Sequence, residues 1–477
     1  MRLTCILLCF IHAWLVLAQS QTLSLNQLYN FSATTSNPST YTLPESSNLT
    51  ITVALCSYDT SNGPRFYLSN DSSVIPSPDN VGQPNIYQIE LGDEGIGNWT
   101  GIMSSHGLLA VYNATQTPFE VGVSDSGPIH EILDSLPLFG DSTSNQVLIF
   151  SPPFSPPDFT IPTYPNYTLP SANLTQPDSP SSPVEYSIFI AETKLPAFAT
   201  LPRTGCALKD VPGNVGTYRT YADSEGLWLR DIDGWRWQWF MNGLNAQTNY
   251  TMYAVENGTK VSGPIYFSTK SDAFACQIVH SLPFCPTVSY AAPIDVANAP
   301  NGVTASQLPS SVTDNLLSGY ANFTVMLTTL ACGRDLYSPL VTCADCQAAY
   351  RTWLCFVSLP RCAEDANATS STSVSSTVTP SPALQMQDAA NPRSPYLPSF
   401  PQNYTAVLPC LEVCNAADRA CPPFLGFQCP KPQYTAAMSY GVGYIDSGEE
   451  GEVGGGSTGS AVDRWGNVWC NAPSDVL

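Results

Sequence analysis

The chain has 477 residues, of which only 12% are charged, with 42 prolines and a formal net charge of −21. Such an acidic balance argues against a nucleic-acid groove, which needs clustered Lys and Arg, and against binding to an anionic membrane surface. The charged fraction is well below the usual quarter or so, and the length allows two to four domains. This composition fits a loop-rich extracellular β protein kept soluble by its acidity.

The first 18 residues read as a signal peptide. Arg2 precedes an apolar run from Ile6 to Leu17, and Val16-Leu17-Ala18 offers a small-residue exit before Gln19. The run falls short of the roughly 20 apolar residues of a membrane span. Cleavage would remove Cys5 and Cys9, taking the cysteine count from 16 by 2 to an even 14, as suits an oxidised secreted chain. Asn-X-Ser/Thr sequons agree with this route. They occur at Asn30, Asn48, Asn70, Asn98, Asn113, Asn166, Asn173, Asn249, Asn257, Asn322, Asn367 and Asn403, so the chain is expected to carry N-glycans. It should travel through the endoplasmic reticulum to the extracellular face of the plasma membrane, held there by a partner.

Residues 19–151 are expected to form an antiparallel β-sandwich, with short alternating strands at 49–55, 65–68, 86–91, 107–112 and 119–123. Its one mature cysteine, Cys56, is expected to pair outside this domain or stay free. Residues 152–183 are a Pro-rich linker, where proline removes backbone donors and fixes φ, and are expected to form an extended spacer.

Residues 184–272 read as a second β-sandwich. A leucine, a turn and a tyrosine entering an alternating strand (Leu244 to Val255), followed by Gly263 to Thr269, resemble the closing part of a fibronectin type III domain. The resemblance implies a Tyr250 hydroxyl bonded back to the preceding turn. Trp235, Trp237 and Trp239 recur at period two and share one face, read as sheet core in preference to a binding face. Asp231-Ile232-Asp233-Gly234 lacks the downstream Glu of a calcium loop and reads as a hairpin turn. Cys206 should bridge within or between domains.

Residues 273–477 hold the other mature cysteines: Cys276, Cys285, Cys332, Cys343, Cys346, Cys355, Cys362, Cys410, Cys414, Cys421, Cys429 and Cys470. A Ser/Thr/Pro-rich stretch at 366–392 is expected to be disordered, and a Gly-rich stretch at 448–460 flexible. The acidic residues Asp446, Glu449, Glu450 and Glu452 read as a solvated loop. Cys343, Cys346, Tyr350, Trp353, Leu354 and Val357 fall at helical spacing, as do Cys410, Cys414, Ala417 and Cys421 between Pro409 and Pro422. Two short helices joined by disulfides are expected, with the connectivity open.

No catalytic signature is present. His106, His130 and His280 lack metal-pair spacing, and no nucleophile elbow, phosphate loop or dinucleotide fingerprint occurs. Cys343-Ala344-Asp345-Cys346 has the CxxC form, but among so many cysteines it reads as structural. The expectation is no enzyme, no metal and no cofactor.

Two resemblances meet in this region. Trp353-Leu354-Cys355 to Cys362, with Pro409-Cys410, Cys414 and Cys421-Pro422, resembles the mainly helical cysteine-rich domain of frizzled-type receptors. The runs Tyr337 to Cys362 and Leu408 to Pro430 are more closely similar to the fungal stretch-activated calcium-channel component. That resemblance implies an extracellular regulatory subunit of a plasma-membrane calcium channel, docked through its cysteine-rich domain on a separate pore-forming α subunit. The alternative is a frizzled-like ligand-binding or adhesion glycoprotein with no channel partner.

Overall fold

The computed structural model describes residues 21–32, 37–57, 63–114, 117–157, 169–199, 201–209, 211, 222–297, 299–330, 337–338, 340–364, 383–431, 434–441, 445–446, 457–458 and 470–473. The signal segment, Asn166, Cys332, Asn367 and most of the two inserts lie outside them. The chain divides into two compact units, residues 1–131 with 200–210, and residues 132–199 with 211–477.

The first unit is a β-sandwich. One sheet runs in the order 21–22, 39–43, 107–112, 65–69, 86–89, and the other in the order 27–31, 119–124, 46–55, 96–103. Alternation explains the register. Ile51, Val53, Phe66, Leu109, Val111, Phe119 and Val121 point into the core between the sheets and are fully buried, while residues between them such as Thr52, Ala54, Ala110 and Glu120 lie on the opposite faces and are buried there too. A short helix, α1 (Gly205–Lys209), belongs to this unit. It is fixed there by the disulfide Cys56–Cys206 and by the Thr204 hydroxyl, which donates to the Leu55 carbonyl. Cys56 therefore has a partner 150 residues away, a distance no local pattern reveals.

The first unit closes near residue 131, not 151. Strands 138–142 and 146–150 instead enter the second unit, where the sheet order is 138–142, 146–150, 234–242, 222–231. This sheet is buried on both faces. Val147 and Ile149, with Trp235 and Trp239, pack against the facing strands 186–192, 249–256 and 260–268. Leu148, Phe150 and Phe240 point the other way and pack on Cys276, Ile278, Cys362 and Tyr404 of the cysteine-rich region. The uninterrupted Val147-Leu148-Ile149-Phe150 run is the sequence signature of a strand with no wet face. The tryptophan stripe is core, and Trp237 donates its indole N–H to the Val184 carbonyl at 2.7 Å. The Asn245 N–H donates to the Tyr250 hydroxyl at 2.8 Å, giving the expected corner. Asp231–Gly234 closes a hairpin, and Gly234 is required there. Its φ is +143°, and a Cβ would lie 2.5 Å from the Phe154 carbonyl oxygen.

The cysteine-rich region therefore does not stand as a separate body; it covers the second face of a sandwich sheet. Its helices are accompanied by short strands. Helices α2 (Ser310–Leu330), α3 (Cys343–Ser358) and α4 (Leu411–Ala420) accompany a 277–279/290–292 hairpin and a three-stranded sheet ordered 361–363, 404–407, 384–387. The last strand falls inside the stretch expected to be disordered. Its register, Leu384 opposite Val407 and Gln387 opposite Tyr404, supplies backbone partners that composition alone does not show. Ser457–Thr458 of the Gly-rich stretch likewise pairs with Ile445–Asp446.

The described parts of the Pro-rich linker are bound, not free. Phe154 exchanges backbone hydrogen bonds with Trp235, at 2.9 and 2.8 Å, and Gln176 bonds both the N–H and the C=O of Leu229. Proline removes donors but leaves carbonyls, which are the groups the cysteine-rich region uses to hold this segment.

Candidate docking module

The module is built from α2, α3 and α4. Helix α3 starts at a capping box, in which the Asp345 N–H donates to the Thr342 hydroxyl and the Thr342 N–H donates to the Asp345 carboxylate at 2.6 Å. Helix α4 begins after Pro409 and buries Leu411, Val413, Cys414, Ala417 and Ala420. The disulfide Cys346–Cys421 joins α3 to the end of α4. Others tie α3, α4 and the segments beside them to their surroundings: Cys285–Cys355, Cys276–Cys362, Cys414–Cys429 and Cys410–Cys470. Cys343 is also disulfide-bonded. An aromatic group fills the space between them, with Phe323 stacked on Tyr350 at 3.6 Å and Trp353 edge-on to Phe427 at 5.0 Å.

The cysteine spacing identified α3 and α4 but not α2. The signal for α2 was present in the buried residues Val312, Leu316, Tyr320, Phe323 and Leu327, which recur at three and four residues on one helix face. The spacing also missed the polar residues on the inner face of α3. Arg351 donates to the carbonyls of Ser171, Ala172 and Phe284, each at 2.9 Å, and lies 3.6 Å over the Tyr320 ring. Gln347 donates to the Pro170 carbonyl and to the Thr324 hydroxyl. Burial pulls the Arg351 guanidinium below its usual range and pushes the Tyr320 phenol up to about 12. Arg351 and Gln347 together clamp the linker onto α3. Arg351→Met is expected to leave three carbonyls without their donor, costing about 2–4 kcal/mol. Limited proteolysis should then cut residues 169–176 faster than in the unaltered chain. Unchanged cleavage would show that the clamp does not hold the linker.

The histidines are satisfied by protein groups. His280 bonds Gln238, Ser281 and the Asn301 carbonyl in the core, and burial holds its pKa below the usual value. His130 lies between Thr52 at 2.9 Å and Glu120 at 3.1 Å. His106 meets Glu45 at the surface. Among the described residues, the two groupings of metal-ligand atoms each consist of a disulfide beside a glutamate, Cys56–Cys206 with Glu120 and Cys410–Cys470 with Glu412. Disulfide sulfurs are not thiolates, so these sets lack the ligand form that metals take from cysteine. No helix among the described residues is long and apolar enough to cross a membrane.

Residues 48–456 match the sequence model of the Mid1 family, described as a stretch-activated Ca2+-permeable channel component. The chain belongs to the Mid1 family. Stretch-activated cation channel MID1 of Cryptococcus neoformans var. grubii is 36% identical over 388 residues, covering 74% of this chain and 62% of that protein. Stretch-activated cation channel yam8 of Schizosaccharomyces pombe is 27% identical, covering 83% and 79%. The chain thus spans about three fifths of the length of the Cryptococcus relative. Among solved structures, the FN1–FN3 domains of chicken CNTN1 share 12% identity over 46% of this chain and 63% of theirs, at a TM-score of 0.16, too low to carry a fold assignment. The Mid1 match spans both compact units, so family membership is a property of the β-sandwiches as well as of the cysteine-rich region.

Proposed function

We propose that this chain is an extracellular, glycosylated auxiliary subunit of a plasma-membrane calcium channel, supporting stretch- or stress-activated calcium influx. In this reading its cysteine-rich region docks on a pore-forming α subunit that is a separate chain. The family description as a channel component supports a channel assembly. The observation that carries the docking surface is the pair Leu340 and Phe424, which are 90% and 55% exposed. Leu340 lies six residues before Cys346 and Phe424 three after Cys421, so two exposed large apolar side chains sit in the chain segments that this disulfide joins. Buried apolar anchors dominate the energetics of protein interfaces, and a disulfide-braced mount lowers the ordering cost of binding.

The test is co-purification from fungal membranes in mild detergent. The unaltered chain is expected to bring down a pore-forming subunit, and Leu340→Glu/Phe424→Glu should reduce recovery at least tenfold while the chain itself stays folded. Full release into the medium with no membrane partner would overturn the docking reading. Undiminished recovery with the double variant would move the docking surface elsewhere.

A further inference from the structure

Several exposed apolar side chains lie directly beside sequon asparagines, in three unrelated local geometries. On the 249–256/260–268 hairpin, Asn249 pairs with Ser268 and Thr251 with Tyr266. Asn249 and Tyr266 are therefore diagonal neighbours on the outer face, about 7 Å apart at Cβ, and Tyr266 is 59% exposed. On α2, Val325 and Met326 follow Asn322 by three and four residues, which places them about 5–6 Å from it on the same helix face. They are 62% and 39% exposed, while Phe323 and Leu327 point into the core. In the first unit the Asn70 amide nitrogen donates to the Ile102 carbonyl at 2.9 Å, beside an Ile102 side chain that is 66% exposed.

The amide nitrogen of each sequon is where an N-glycan would be joined. The first sugar of such a chain begins within reach of these side chains, and a pyranose ring presents an apolar C–H face. We propose that the N-glycans at Asn70, Asn249 and Asn322 are seated on Ile102, Tyr266 and Val325/Met326, covering these apolar residues from within the same molecule. The inference rests on the reading of the chain as a secreted glycoprotein. It deepens that reading by dividing the exposed apolar residues into two kinds. Ile102, Tyr266, Val325 and Met326 are covered by the chain's own sugars, while others, Leu340 and Phe424 among them, remain open.

The test uses the full chain secreted from a eukaryotic host, with site occupancy read by mass spectrometry. Dilute peroxide oxidises exposed methionines, and tetranitromethane nitrates exposed tyrosines; both are quantified residue by residue. With Asn322 occupied, Met326 is expected to oxidise at least threefold more slowly than in Asn322→Gln, while Met438, 72% exposed and far in sequence from any sequon, keeps its rate. Tyr266 nitration should respond in the same way to Asn249→Gln. Enzymatic removal of the glycans from folded protein should reproduce both changes, which separates glycan loss from any effect of substitution on folding. Occupied sites with unchanged Met326 and Tyr266 rates would overturn the seating while leaving the glycoprotein reading intact. Unoccupied Asn249 and Asn322 would overturn the seating at those two sites, and only a chain with every sequon unoccupied would overturn the glycoprotein reading as well.

Discussion

Asp141→Ala is expected to destabilise the second unit by about 3–5 kcal/mol, the usual cost of removing one partner from a buried ionic group. Asp141 is buried and sits between two cations, with Oδ1 2.7 Å from the Lys270 ammonium and Oδ2 3.0 Å from Arg361 Nε. It also accepts the Ala291 N–H at 3.1 Å. Burial alone would push its carboxyl up, but Arg361 and Lys270 outweigh that and hold it at about 2. Lys270 shares this anion with Arg361, and burial together with the repulsion of Arg361 lowers its pKa. Without Asp141, two positive charges would remain buried side by side. The sign of the pH dependence follows. A carboxyl held below its ordinary value stabilises the fold fully above about pH 4, and that contribution, about 2 kcal/mol, is lost as pH falls from near 4 through about 2. Calorimetric melting of the unaltered chain and Asp141→Asn between pH 2 and 7 checks this. The gap between them should narrow only below about pH 4. A constant gap would show that the carboxylate's charge is not what stabilises the unit.

The second large effect is expected for Cys346→Ser/Cys421→Ser. The bond closes a separation of 75 residues, for which the loop-entropy relation gives about 4.5 kcal/mol at 25 °C. Measured losses often fall below this relation because the reduced, unfolded chain retains structure, so the loss should lie nearer about 2–4 kcal/mol. Because Phe323 and Leu327 of α2 pack on Cys346 and Cys421, hydrogen exchange should rise first in the second half of α2 and at the end of α4. The strands of the first unit should keep their protection. Exchange that rises evenly through both units would show that the bond does not act locally.

What was legible in the sequence follows from the range of each interaction. The Tyr250 corner and the Trp235–Trp239 stripe rest on spacings of two to five residues, and both were readable. The inner face of α4 was readable because Cys410, Cys414, Ala417 and Cys421 repeat at three, four and seven. Cys56–Cys206 joins residues 150 apart, and Asp141 meets Arg361 across 220 positions; no period or motif links them. The boundary near 131 was missed for a related reason. Val147 to Phe150 form a good strand in any sandwich, and their partner strand at 234–242 is decided by tertiary pairing. The linker was misjudged because proline content reports what the backbone cannot donate, not which carbonyls Arg351 and Gln347 will use.

The sheet with two buried faces has a consequence for synthesis. Leu148, Phe150 and Phe240 leave the ribosome well before Tyr404 and Ala406, which help to cover them. At 5–20 residues per second, the interval between residues 240 and 404 is roughly 8–33 s. During that time Cys276, Ile278 and Ala291 can cover only part of this surface, and the share that packs on Tyr404 and Ala406 has no partner. A chain truncated before residue 404 would leave that share uncovered, so the sheet formed early in synthesis is completed only by residues made late.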